Sequence, residues 1–176
     1  MKWALDIAHS QIQFSVKHMG ISTVRGTFDQ FEGTIDEANG NVEAVTVSID
    51  VASLNSGSAQ RDAHLKGGEF FDAEKFPTAT FTLTKFTKAG DEVTAIGDLT
   101  LRGVTRPVTL LGEIGGPSKD PWGHEKVSAS LSTKISRKEW GLVWNVALEA
   151  GGVLVSDDVK LSIEVQAAAP VEAAAA

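Results

Sequence analysis

The sequence predicts an all-β protein, an eight-stranded antiparallel barrel with a short helical insert. Three observations predict it. Apolar residues recur at every second position through most of the chain, the mark of strands with one buried face. Turn residues fall where that alternation breaks, in hairpin order, without the strand–helix alternation that a parallel sheet needs. One strand changes phase midway, as a long strand does when a bulge bends it, and long bent strands suit a closed barrel better than a flat sandwich.

Ile12, Phe14 and Val16 open the series, alternating with Gln11, Gln13, Ser15 and Lys17. Val24, Gly26 and Phe28 sit at even positions and Phe31, Gly33 and Ile35 at odd ones, which places the bulge near Asp29 and Gln30. Residues 36–41 (DEANGN) hold an Asn-Gly pair, a strong hairpin signal. Val45, Val47, Ile49 and Val51 follow, then Phe81 and Leu83 among threonines. Residues 88–91 (KAGD) and 101–105 (LRGVT) supply two more hairpins around the phase of Val93, Ala95, Leu99 and Leu101. Val104, Val108, Leu110 and Ile114 continue the series. Residues 115–123 (GGPSKDPWG) read as a longer loop, before Val127, Ala129, Leu131 and Ile135. Residues 149–152 (EAGG) read as a turn, and Val159, Leu161, Ile163 and Val165 close the pattern.

Residues 53–81 interrupt the strands with an elaborate connection of the kind that forms a lid or a mouth. Residues 58–65 (SAQRDAHL) predict the helix, with Ser56 or Ser58 as its N-cap and Gly67–Gly68 as its stop. Residues 1–166 form one domain, and 167–176 (AAAPVEAAAA) read as a low-complexity tail with no core role.

Composition narrows the function classes. A chain of 176 residues fits a single core, and its net charge of −7 argues against nucleic acid and weakly against anionic membrane surfaces. With no Cys, disulfides, thiolate catalysis and Cys-ligated metals are excluded. No run is long enough to span a bilayer as a helix. The start MKWALDIAHSQ lacks a signal peptide; the expectation is a cytoplasmic protein if Met1 is the native start, and a periplasmic one if a leader was removed.

Catalytic motifs are absent: no Gly-x-Ser-x-Gly elbow, no phosphate-binding glycine loop, and no triad from His9 and Ser10, which point to opposite faces of a strand. His9, His18, His64 and His124 are too scattered to form a readable metal site, and His18 reads as a hydrogen-bonding rim residue. Trp122, Trp140 and Trp144 read either as a sugar-stacking platform or, more simply, as a packed turn. An eight-stranded barrel holds packed side chains or one elongated ligand, and the pattern leaves open which.

Several ordered motifs resemble the YceI-like family. Residues 6–19 (DIAHSQIQFSVKHM) are similar to its opening Asp-x-x-His-Ser motif, and VRGTFDQFEGTI to its next strand. The block Asn55 to Leu65, then Phe70-Phe71-Asp72 and Phe76-Pro77 to Phe81, resembles its most distinctive stretch. GDLTLRGVTRPVTL and SRKEWGL complete the likeness, which covers nearly the whole chain except the tail. The resemblance implies a lipocalin-like barrel, a pocket for a polyisoprenoid or other long-chain amphiphile, no catalytic cofactor, frequent export to the periplasm, and a homodimer.

On that reading Phe14, Val16, Phe28, Phe31, Val47 and Ile49 are candidates for the interior wall, with Phe81, Leu83, Leu99 and Leu131. Leu65, Phe70 and Phe71 are candidates for the lid, or else they pin the insert to the barrel. Arg61, with Lys66 nearby, is the candidate for a charged head group, its alternative role being a salt bridge that anchors the helix. The leading expectation is non-enzymatic carriage of a quinone or polyprenyl lipid. The others are an enzyme acting on a lipid-like substrate in the same barrel, and a filled barrel that binds a protein.

Overall fold

A computed structural model describes residues 1–170, and the remaining positions of the tail lie outside the described residues. The strands are β1 (Lys2–Leu5), β2 (Gln11–His18), β3 (Ser22–Phe28), β4 (Phe31–Ala38), β5 (Asn41–Asp50), β6 (Leu54–Asn55), β7 (Thr78–Ala89), β8 (Glu92–Leu101), β9 (Val104–Lys119), β10 (Glu125–Ser136) and β11 (Asp158–Ala168). One helix, α1 (Ala59–Lys66), lies between β6 and β7.

The strands close on one another. Strand β11 pairs with β10 on one side; on the other it pairs with β2 along Lys160–Glu164 and with β1 at Ala167 and Ala168. Strand β1 pairs with β4, and β2 with β3. So β1 and β2 are halves of one stave, and β3 and β4 halves of the next. With the two-residue β6 set aside as a patch on β3, the other ten strands make the eight staves of a closed antiparallel barrel. The short β1 escapes sequence reading because Asp6 and a single 3-10 turn (Ile7–His9) cut its alternation short.

The bend between β3 and β4 falls at Asp29 and Gln30, where the phase changes. Ser53 stitches it: its carbonyl accepts from Asp29 N at 3.2 Å and its hydroxyl from Gln30 N at 2.9 Å. The β4–β5 turn has Asn39 at φ 53° and Gly40 at φ 80°, and the β8–β9 turn has Arg102 at φ 49° and Gly103 at φ 72°. Both are two-residue turns with left-handed centres, matching the twist of the flanking strands.

Two sequence expectations need correction. Strand β9 runs through Gly115, Gly116 and Pro117 to Lys119, leaving a loop of only 120–124. A register shift on β10 between Lys126 and Ser128 lets the two strands stay paired around the proline. The assigned tail also begins too early: Ala167 and Ala168 pair with Val127 and Lys126, and Ala167 is buried. Alanine is small enough to pack where β1, β10 and β11 meet.

Helix α1 is capped as the sequence suggests, with the Ser58 hydroxyl accepting from Arg61 N at 3.3 Å and Gly67 ending it. Two apolar clusters lie toward this end of the barrel. One gathers Phe14, Phe28, Phe31, Ile49, Val51 and Leu54; the other gathers Phe70, Leu99, Val108, Trp140 and Leu142. Arg102 ties the end together, donating to Gly141 O and Gly68 O, each at 2.8 Å. Among the described residues no helix is long and apolar enough to cross a membrane.

Candidate ligand-binding cavity

The barrel is hollow. A cavity of about 1050 Å³ runs through it, at the upper end of the range for small-molecule sites. Its wall is formed by the inward positions of the strands, and aliphatic and aromatic side chains dominate it. Twelve residues of strand at roughly 3.3 Å each make staves about 40 Å long, so a tilted barrel of this size encloses an elongated space.

The structure brings thirteen of the fourteen candidate residues to this wall. Phe14, Val16 and Phe28 come from β2 and β3; Val47 and Ile49 from β5; Phe81, Leu83, Leu99 and Leu131 from β7, β8 and β10. Arg61 and Leu65 reach it from α1, and Phe70 and Phe71 from the segment that follows. The exception is Phe31. It stands opposite Ile49 in the register and is sealed into the cluster of Phe14, Phe28, Val51 and Leu54, away from the lumen. Its odd phase is inward, but it lies just past the bend, where the barrel end is filled.

Glycines explain why so many rings leave space between them. Gly26 is the register partner of Phe14, and a methyl group on Gly26 would run into the Phe14 ring. Gly97 pairs with Leu83 and lies diagonal to Phe81, and a methyl group on it would likewise run into the Phe81 ring. The tip of each ring rests over a bare stretch of neighbouring strand, in space that a side chain would otherwise fill.

The cavity has a mouth at each end, marked by residues that both line it and meet solvent. At the hairpin end these are Met1, Gly40, Lys88 and Pro117, with Glu37 and Glu125 close by. At the helix end they are Gln60, Arg61 and His64 of α1. The His64 ring stands edge-on to Phe70 at 5.0 Å and to Trp144 at 4.7 Å, and its Nε2 pairs with Glu69 Oε2. This contact joins the helical insert to the crossover of residues 137–157. Among the described residues Arg61 does not form the expected ion pair; its guanidinium donates to Ser56 Oγ at 2.8 Å and to Ser56 O.

Sequence reading missed a second guanidinium on the wall. Arg137 is buried, with Nε donating to Ser156 O at 2.9 Å, one terminal nitrogen to Leu142 O at 2.6 Å and the other to Val155 O at 3.4 Å. Burial pulls its pKa down, and Asp157 at 3.9 Å partly offsets that. Leu142, Trp144, Leu154 and Val155 of the same crossover also line the cavity, and no periodicity places them there because that segment has no period of two. On β7 a bulge between Leu83 and Lys85 turns Phe86 and Lys88 inward; the signal was the phase change from Leu83 to Phe86.

The remaining polar candidates fall away from the lumen or do structural work. His18 sits at the rim, but its backbone makes the bonds, bridging to Val155. Trp140 is fully buried and donates to Leu99 O at 2.9 Å, Trp144 packs on His64 and Phe70, and Trp122 is exposed on the 120–124 loop at the far end. The three tryptophans therefore form no common platform. Two carboxylates are held below their usual range outside the cavity. For Asp6 the main cause is the hydrogen bond from Lys126 at 3.1 Å. For Asp120 desolvation pushes upward and is outweighed by the His124 and Trp122 N–H groups and the His124 ring.

Comparison with known proteins places this geometry. The YceI-like domain matches residues 3–167. A UPF0312 protein of Vibrio vulnificus is 41% identical over 138 residues, covering 77% of this chain and 73% of its own. Protein YceI of Salmonella heidelberg is 39% identical over 160 residues, covering 90% and 81%. Among solved structures, the Campylobacter jejuni YCEI protein superposes with a TM-score of 0.75 at 35% identity, covering 88% of this chain and 90% of its own. A polyisoprenoid binding domain from Saccharophagus degradans, at 17% identity, shares the fold with a TM-score of 0.74 over 96% and 98% of the two chains.

Proposed function

The chain belongs to the YceI-like domain family, and from that premise we propose that it binds and carries a long-chain isoprenoid-type lipid, a polyprenyl compound or a quinone, without transforming it. The observation that carries this reading is the long apolar cavity of about 1050 Å³ through the barrel. A lipid tail drawn into such a space gains about 0.8 kcal/mol for each CH₂ removed from water. A chain of tens of carbons is thereby held without covalent chemistry, even after the cost of association.

The polar groups fit a head group at one mouth. Among the described residues the ionisable groups on the wall at the helix end are His18, Arg61, His64 and Arg137, with no carboxylate among them, whereas Glu37 and Glu125 lie at the hairpin end. The printed description of the Saccharophagus degradans neighbour as a polyisoprenoid binding domain agrees with this reading. So does the wall chemistry: Asp6 and Asp120, the carboxylates with displaced pKa values, stand outside the cavity, and Arg137 is committed to carbonyls.

Titrating delipidated protein with polyprenols and quinones of graded tail length, followed by the fluorescence of Trp144, tests the proposal. Saturation at a fixed stoichiometry, with affinity rising with tail length until the cavity is full, is the expected result. Affinity independent of tail length, or turnover of the lipid during the titration, contradicts it.

A further inference from the structure

We propose that the helix-end rim of the barrel is a docking face for a phospholipid bilayer, through which the cavity exchanges its lipid; the inference rests on the cavity being a lipid site. Most of the exposed large apolar residues gather here. Met19 (47% exposed) and Ile21 (82%) occupy the β2–β3 turn, and Val143 (60%), Val146 (46%) and Val153 (46%) occupy the crossover before β11. Their segments are bonded into one small platform outside the barrel. Met19 N donates to Leu154 O at 2.8 Å, Leu154 N to Val146 O at 2.9 Å, and Asn145 clamps Val155 through both its N–H and its carbonyl.

This platform is continuous with the cavity. His18 and Leu154, each next in sequence to an exposed residue, line the lumen together with Val155 and Trp144. An apolar surface thus runs from solvent into the binding space, and a patch of this kind marks an interaction site. Charge decides the partner. Residues 16–25 contain no Asp or Glu but hold Lys17 and Arg25, and residues 140–148 and 150–156 carry no carboxylate, although the chain has a net charge of −7. Glu149 stands alone between those two runs and Asp157 at the end of the crossover is paired with Lys138, while Glu37, Asp91, Glu92, Asp120 and Glu125 surround the opposite mouth. The overall charge argues weakly against anionic membranes, but its distribution leaves this end suited to one. Docking also removes the main barrier to transfer, because a tail that passes from bilayer to cavity never crosses water.

The test is co-sedimentation of the full chain with vesicles of phosphatidylglycerol and phosphatidylcholine. It compares the wild type, Ile21→Asp with Val143→Asp, the milder Ile21→Ser with Val143→Ser, and a control, Leu111→Asp, on the outer barrel wall. The expected result is vesicle binding by the wild type and the control, and a loss of at least about tenfold in the aspartate variant, with the serine variant between. Folding of each variant is checked by circular dichroism. Equal binding by all four proteins, or none by the wild type, overturns the proposal. So does a wild-type dimer, seen by sedimentation velocity, that the rim variants dissociate, since the rim then joins two copies of this chain. Loading from detergent solution is measured in parallel. A rim variant that loads normally leaves the cavity reading intact, whereas a wild type that never loads removes the reading itself.

Discussion

The ring of Phe14 covers Gly26, its register partner on the neighbouring strand, and so lies along the wall of the barrel instead of across its lumen. Phe81 covers Gly97, which lies diagonally across from it on the neighbouring strand. These contacts separate a hollow barrel from a filled one with the same aromatic content. Gly26→Ala is expected to push the Phe14 ring into the cavity, at a cost of about 1–3 kcal/mol in stability, and to exclude the longest lipids. Gly97→Ala is expected to cost more, because the added methyl meets the Thr82 carbonyl at 2.6 Å as well as the ring. Urea denaturation and the tail-length dependence of binding check both.

The latch at the helix end is aromatic. Trp144→Ala removes the edge contact with His64 and the tilted contact with Phe70, a loss of about 0.5–1.5 kcal/mol per ring pair beyond area. Lipid dissociation, followed by transfer to acceptor vesicles, is expected to quicken several-fold while the barrel stays folded. An unchanged rate would show that the helical insert does not gate this mouth.

Arg137→Met leaves the carbonyls of Ser156 and Leu142 without their donor, and that of Val155 with Asn145 alone. Buried acceptors stripped in this way cost about 3 kcal/mol or more. Arg137→Lys is expected to recover only a small part of the loss, because an ammonium cannot span three carbonyls from a planar fork. Equilibrium unfolding of the two variants measures the difference.

Asp6 fastens the end of β1 to Lys126 on β10. Its pKa in the fold is lowered, chiefly by the hydrogen bond from Lys126. The unfolded chain therefore binds the proton more readily than the folded one, and the contribution is present above about pH 4 and fades as pH falls through the depressed value. Asp6→Asn is expected to cost up to about 1 kcal/mol at pH 7, and the gap from wild type is expected to narrow in acid. A gap that stays constant with pH, read from unfolding curves across the acid range, would assign the effect to packing.

Much of this site is legible in the sequence because strands carry a period of two. Val47, Leu83 and Leu131 face the lumen simply by sharing a phase with their neighbours. The reading fails where geometry departs from that period. Phe31 keeps the inward phase but lies at the filled end of the bend, and phase cannot report depth along the barrel. Arg137 sits in a single 3-10 turn with Leu142 and Trp144 in irregular chain just beyond it, and what holds Arg137 at the cavity is bonding to a distant segment, such as its bond to Ser156 O. Whether the barrel was hollow turned on glycines opposite rings, a relation set by the register between strands, which one strand's sequence does not contain.

Native mass spectrometry of the purified protein, followed by organic extraction, tests the central claim most directly. The account predicts an added mass that is lost on denaturation and recovered as one long-chain isoprenoid lipid per cavity. A protein of apo mass that also fails to take up added polyprenols and quinones would contradict it.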